Sequence, residues 1–422
     1  MMKKSEILAC LKACDRIDGY EVSLIDKDSR ELFYVLDHME INRAVKVRKA
    51  TIKVYVNGKD SVGSSNVIVT AADDEKTLSK KLLNAAKSAK AAQNPYFPLS
   101  EKGKDIRNVN KKKRDLNKIA TKVAKAVFKA DTHSDGWINS TEIFVSEYKE
   151  EFLNSNGVDH VNESFRIEVE VIPTWRNGKE EYELYRYIRT DKEDYKKITE
   201  EVEAILDKAK ARSKALTLKD VKLPEDIDIL VKEDMLEYLV ENFADDLNYR
   251  SAFLKSQHYK KGDLISNTPF DLTMRPVVSG CSASSRFDSH GTVLSPVKLI
   301  KAGKANGTFG DIQFGYYNKE KKISGDLKVA QLDAEGVDYK KRPHLIIEYF
   351  SAPQLESDSG YWGGEVRLAR YFDGKKYIPL TGFSISGNIF EDIKDVRFSR
   401  KQTVSTRYKG PEYMIFKGLK IA

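Results

Sequence analysis

Three consecutive polar residues, Asp288, Ser289 and His290 in the stretch SRFDSHGTVL, have the residue types of a serine hydrolase but not the spacing. In a hydrolase triad the histidine sits between serine and carboxylate, and the side chains converge from separate parts of a fold. Neighbours on an extended chain point to opposite faces instead. The stretch therefore reads as a polar turn closed by Gly291 ahead of Val293 and Leu294. A second constellation, DTHSDGWINSTE from Asp131 to Glu142, has the spacing of a calcium loop, with Asp131 first, Asp135 fifth, Gly136 sixth and Glu142 twelfth. Its third position is His133, a nitrogen donor where a hard cation takes oxygen. The following EIFVSEY alternates like a strand, whereas a calcium-binding helix pair needs a helix there. Calcium at Asp131, His133, Asp135 and Glu142 is thus the alternative, and a polar helix-to-strand turn the preferred reading.

Other chemistries leave no trace. The histidines, His38, His133, His160, His258, His290 and His344, are scattered, with no H-E-x-x-H and no C-x-x-C. GKANG (303–307) lacks the hydroxyl and glycine frame of a phosphate loop, Gly382 and Gly387 are too few for a dinucleotide fold, and no G-x-S-x-G elbow occurs. Catalytic and metal-binding residues are therefore expected to be absent.

The chain has 422 residues, 41% hydrophobic, and a formal charge of +8 spread among 72 basic and 64 acidic side chains. That length implies two domains. Interspersed charge without a recognisable module argues against a nucleic-acid partner. No apolar run has the length of a bilayer span and the N-terminus has no signal-peptide core, so a cytoplasmic protein with no membrane partner is expected. Cys10 and Cys14, one helical turn apart, read as reduced core thiols.

Period-two segments at 20–25, 31–36 and 51–56, the last closed by Asn57-Gly58, predict antiparallel strands. Helices are predicted from Leu78 to Ala89, stopped by Asn94-Pro95, and over Leu116–Ala130, the latter with a solvated stripe of Lys118, Lys122, Lys125 and Lys129. Strands return at 142–148 and 164–175, then a helix from Lys192 to Arg212. The charged stretch 211–224 is the expected boundary, giving domains 1–215 and 216–422. The predicted fold is α+β: an N-terminal mixed domain of helices on an antiparallel sheet, and a C-terminal, largely antiparallel β domain entered through a helix near Met235–Leu247.

Several stretches together resemble the TldD/PmbA family, the modulator-of-gyrase peptidases. They are SRFDSHGTVLSPVKLIKAGKANG (285–307), YIPLTGFSISGNIFEDIKDV (377–396), KGPEYMIFKGLKIA (409–422), LNSNGV (153–158) and TIKVYVNGKDSVGSSN near the N-terminus. The resemblance spans nearly the whole chain and marks Asn154, Ser155, Gly157, Asp288, Gly291, Gly387, Asn388 and Pro411 as structural motif positions, with His290 where the family usually has glutamate. It implies that TldD-type members carry H-E-x-x-x-H on a helix and a cysteine near the C-terminus as zinc ligands. Here that helix reads MLEYLVENFADDL, with Glu237, Glu241, Asp245 and Asp246 but no histidine, and QTVSTRYKGPE (402–412) has no cysteine. The chain thus resembles the PmbA or TldE type, the non-catalytic partner of a cytoplasmic zinc metallopeptidase that cuts unfolded peptides. Zinc is expected only in a TldD-type partner, and no cofactor on this chain. The alternatives are a homodimeric peptide-binding scaffold and a divergent peptidase active alone.

Overall fold

The computed structural model describes residues 2–109 and 112–422. Helix α1 (Lys4–Ala13) leads into strands β1 (Gly19–Val35), β2 (His38–Asn57) and β3 (Ser61–Val69). Helix α2 (Glu75–Ala91), short strands β4 (Gln93–Pro95) and β5 (Arg107–Asn108), and helix α3 (Leu116–Phe128) follow. Then come β6 (Gly136–Asn154), β7 (Asp159–Asn177), β8 (Glu180–Glu183), β9 (Arg186–Thr190) and α4 (Tyr195–Arg212). These strands form one sheet in the order β4-β3-β2-β1-β6-β7-β5, with β8 and β9 also on β7. Its long strands pair antiparallel, and β5 joins β7 in parallel.

An acid begins α2, α3 and α4. Asp74 accepts from Thr77 N (2.7 Å), Asp115 from Lys118 N (3.0 Å) and Asp194 from Lys197 N (3.1 Å), satisfying open first-turn donors. Helices α1 and α2 bury Ile7, Leu11, Leu78 and Leu82 against Val22, Leu24, Ile52 and Val54 at one end of the sheet. Helices α3 and α4 cover the other end, packing Val123, Val127, Val202 and Leu206 on Ile143, Val145, Ile167 and Val169. Lys118, Lys122, Lys125 and Lys129 are exposed, and Cys10 and Cys14 are both free thiols.

The separate strands expected at 20–25 and 31–36 are a single strand, and β2 begins at His38 rather than near residue 51. The polar run between the expected strands stays in the sheet because its charges pair across the ladder. Arg48 forks onto Asp26 at 2.5 and 2.7 Å, Lys46 meets Asp28 at 3.1 Å, and Arg43 meets Glu31 at 2.6 Å.

The second half begins with a segment whose Leu218, Val221 and Leu223 pack on its core. Strand β10 (Asp228–Val231) and helix α5 (Glu233–Asp246) come next. A ten-stranded sheet runs through β10, His344–Phe350 and Tyr361–Phe372, and a six-stranded sheet through Phe270–Arg275 and Val329–Ala334. Leu345 and Val366 of one sheet, Leu272 and Leu332 of the other, and Leu236, Leu239 and Phe243 of α5 share one core. The fold is α+β. No helix among the described residues is long and apolar enough to cross a membrane.

Candidate functional site

The turn holding Asp288, Ser289 and His290 docks on the end of the N-terminal sheet. Asp288 is buried, and its carboxylate accepts from His290 N and Thr292 N (both 2.9 Å) and Asp326 N (3.0 Å). The chain can therefore reverse here without leaving backbone donors unpaired. Gly291 has φ +70°, and a Cβ there would lie 2.2 Å from the Phe152 ring. His290 faces the other half, with Nδ1 3.0 Å from Glu21 Oε1, and Tyr55 Oη donates to Glu21 Oε2 at 2.7 Å. Burial opposes charge on His290, but the Glu21 carboxylate outweighs it and holds the imidazole above its ordinary range.

The other motif positions shape turns and caps. Asn154 Oδ1 accepts from Asn156 N (3.0 Å) and Val158 N (3.1 Å), Ser155 Oγ accepts from Tyr20 N (3.2 Å), and Gly157 has φ +87°. Together they turn β6 into β7. Gly387 leaves room for the bond from Trp362 Nε1 to Asp392 (2.7 Å), Asn388 caps the short helix after it, and the Pro411 carbonyl accepts from Tyr408 Oη (3.0 Å).

The four side chains of the calcium alternative are not gathered. Asp131 Oδ2 accepts from Ile138 N (3.3 Å), the His133 ring lies 5.1 Å from that of Trp175, the Asp135 carbonyl accepts from Arg176 N (2.7 Å), and Glu142 stands inside β6. Among the described residues no cluster of three or more histidine, cysteine, aspartate or glutamate side chains could hold a metal ion.

A cavity of about 770 Å³ opens between the two halves. Strand β9 and helix α4 form one wall; the start of α5, the strand His344–Phe350 and the segment 401–412 form the other. Strand β9 pairs with β7 on one edge, and no strand among the described residues covers its other edge. Tyr187 of β9 and Tyr238 of α5 both line the cavity and are 39% and 44% exposed, which gives it aromatic surface on either side. At the base, Glu348 lies among Lys232 (3.1 Å), Lys208 of α4 (3.5 Å) and Arg370 (3.8 Å). Burial pushes its carboxyl up, and the three cations more than reverse this, holding it below the ordinary carboxylate range.

Helix α5 presents Leu236, Leu239, Val240 and Phe243 to the core and Glu237 and Glu241, one turn apart, to the segment 402–412. Ser405 Oγ donates to Glu237, and Arg407 Nη1 donates to Glu241 at 2.6 Å. This is the helix on which the resemblance expects zinc ligands in a catalytic member. The donors present do not fit that ion. They include no nitrogen or sulfur ligand, and a permanently charged guanidinium already sits on one carboxylate, where it repels a second cation. Cys281, behind the segment, bonds the Tyr408 carbonyl at 3.5 Å, and burial pushes its thiol up to about 11.

Sequence reasoning placed the carboxylates of α5 but not Ser405 and Arg407. Both sit in the turn that joins the paired strands Gln402–Val404 and Tyr408–Pro411, where Ser405 N donates to the Tyr408 carbonyl (2.9 Å), and their facing α5 is readable only from the tertiary structure. Nothing in sequence links Lys208, Lys232, Glu348 and Arg370.

No protein-family model and no curated protein matches the chain. Solved structures do. TldE from Thermococcus kodakarensis aligns with TM-score 0.79 at 16% identity, over 99% of both chains. A proposed modulator of DNA gyrase from Thermotoga maritima aligns at 0.78 and 14%, over 99% of both chains. This is the TldD/PmbA fold. A third such protein, from Bacteroides thetaiotaomicron, aligns over 100% of both chains at TM-score 0.78 and 15% identity. At these identities the likeness is one of architecture, and the TldD/PmbA fold says nothing by itself of activity.

Proposed function

We propose that this chain is the metal-free, peptide-holding subunit of a TldD/PmbA-type cytoplasmic metallopeptidase system, with an unfolded peptide as its ligand and a zinc-bearing TldD-type subunit as its partner. The observation that carries the reading is the closed wall of α5, where Glu237 and Glu241 bond Ser405 and Arg407. A site so occupied has no open coordination position from which to activate water. The cavity supports the second half of the reading. The open edge of β9 offers main-chain donors and acceptors to an extended peptide, a mode that needs no catalytic side chain, and Tyr187 and Tyr238 supply flat apolar contacts on either side. Neither a nucleic acid nor a membrane enters the proposal.

The test is to purify the chain with and without an H-E-x-x-x-H partner encoded in the same genome and offer each an unfolded casein peptide. The chain alone should bind without cleaving, and the pair should co-purify and cleave. Replacing Tyr187 and Tyr238 with alanine should raise the peptide Kd about tenfold, ~1.4 kcal/mol. Stoichiometric zinc and turnover by the chain alone would overturn the proposal.

A further inference from the structure

The open edge of β9 is closed at one end by a side chain from the other half of the molecule. Tyr349, in the strand His344–Phe350, places its hydroxyl against the main chain of Tyr185, donating to the carbonyl at 3.0 Å and accepting from the N–H at 3.2 Å. The N–H and C=O of one residue in an extended chain point to the same side, and the side alternates along the chain. One residue earlier, Leu184 N donates the other way, to the Pro173 carbonyl of β7 at 3.1 Å. From Arg186 to Thr190 the pairing with β7 keeps one register. Alternation therefore turns Arg186, Ile188 and Thr190 toward β7, and Tyr187 and Arg189 toward the cavity beside Tyr185. Among the described residues, no strand bonds Tyr187 or Arg189 on that side.

Building on the peptide-holding role proposed above, we infer that the Tyr349 hydroxyl is the end stop of the peptide site, so that an extended ligand bonds the main chain of Tyr187 and Arg189 and goes no farther toward Tyr185. A hydroxyl carries one donor and has lone pairs to accept, so it imitates the main chain of one strand residue. A peptide that displaced it would exchange two hydrogen bonds for two and gain nothing from the longer pairing. The ring would also have to leave its place, where it packs against the core that α3 and α4 form on the sheet. A bare edge needs such a stop. Sliding by two residues keeps every ligand side chain on its face and every main-chain bond made, so alternation alone leaves the register open. With the rung at Tyr185 filled, Tyr187 and Arg189 are what the edge offers. Tyr349 is thus a positioning residue: it makes no demand on peptide side chains and fixes how many main-chain groups engage.

The experiment uses the full chain and an end-blocked unfolded casein peptide whose main-chain nitrogens are methylated one at a time, with binding read by fluorescence anisotropy. In the wild-type chain, methylation at two alternate positions should each weaken binding about tenfold. Tyr349→Phe keeps the ring and frees the rung. It should add a third sensitive position two residues along and tighten the unmethylated peptide about fivefold. Hydrogen exchange reads the stop without a peptide: the Tyr185 amide should exchange about tenfold faster in Tyr349→Phe than in the wild type. The Tyr187 and Arg189 amides should slow only when peptide is added. Circular dichroism melts of both forms check that the fold is kept. Sensitive positions identical in the two forms, or a Tyr185 amide that exchanges alike in both, would overturn the inference and leave the peptide-holding role standing. Binding that no methylation weakens, or no binding by either form, would overturn that role and the end stop with it.

Discussion

At one end of the nine-stranded sheet the two halves meet through Phe152, Val158 and Phe287, beside the pair of Glu21 and His290. At the other end Lys208 of α4 reaches Glu348 across the base of an open cavity, with two further cations beside it. The first contact is built on packed apolar side chains and fixes a turn; the second is ionic and borders the cavity. The contrast teaches which contact sets the geometry. A packed apolar contact with a glycine at positive φ and directed hydrogen bonds admits one arrangement, whereas long cationic side chains around one carboxylate tolerate small shifts. Tyr349 adds a directional element to the second contact, its hydroxyl lying 3.0 Å from the Tyr185 carbonyl and 3.2 Å from the Tyr185 N–H.

The first contact also holds two histidines whose pKa values are shifted in opposite directions. Ile106 N donates to His160 Nδ1 (3.1 Å), so the ring proton is on Nε2, which donates to the Gly291 carbonyl (3.1 Å). Burial lowers the pKa of His160, whereas Glu21 raises that of His290. The stability from His160 is present above the unfolded value near 6.5 and lost as pH falls through its lower folded value. That from His290 is present below 6.5 and lost as pH rises through its higher folded value.

Glu348→Gln removes the buried carboxylate that Lys208, Lys232 and Arg370 share and should cost about 3 kcal/mol in denaturant unfolding. Gly291→Ala combines a positive φ with a clash against Phe152 and should cost about 2–3 kcal/mol by the same measurement. His290→Glu sets a second carboxylate against Glu21; it should cost about 2 kcal/mol, largely recovered by adding Glu21→Gln. The melting temperature should fall on both sides of a middle pH band. His290→Gln should flatten the alkaline side alone and His160→Gln the acid side alone. The smallest effect is Arg407→Ala, about 0.5 kcal/mol, because that guanidinium is half exposed.

Much of this architecture was legible in the sequence, because apolar periodicity and turn residues are local. The α4 pattern lies within one stretch of chain, and Gly157 and Gly291 each stand beside the polar residues of their own turn. The merging of β1 was not legible, since Asp26–Arg30 reads as a turn until Arg48 and Lys46 are known to stand opposite. The cavity was equally hidden: its base is one carboxylate and three cations from distant segments, and its open edge on β9 depends on which strands pair with β7. The α5 carboxylates were visible as residues, but their occupation by Ser405 and Arg407 belongs to tertiary structure.

The most direct measurement is the zinc content of the purified chain after equilibration with zinc and exhaustive dialysis. Far less than one ion per chain is expected, unchanged by Glu237→Gln or Glu241→Gln. One tightly held zinc per chain, lost in either variant, would make α5 a metal site and overturn the proposed role.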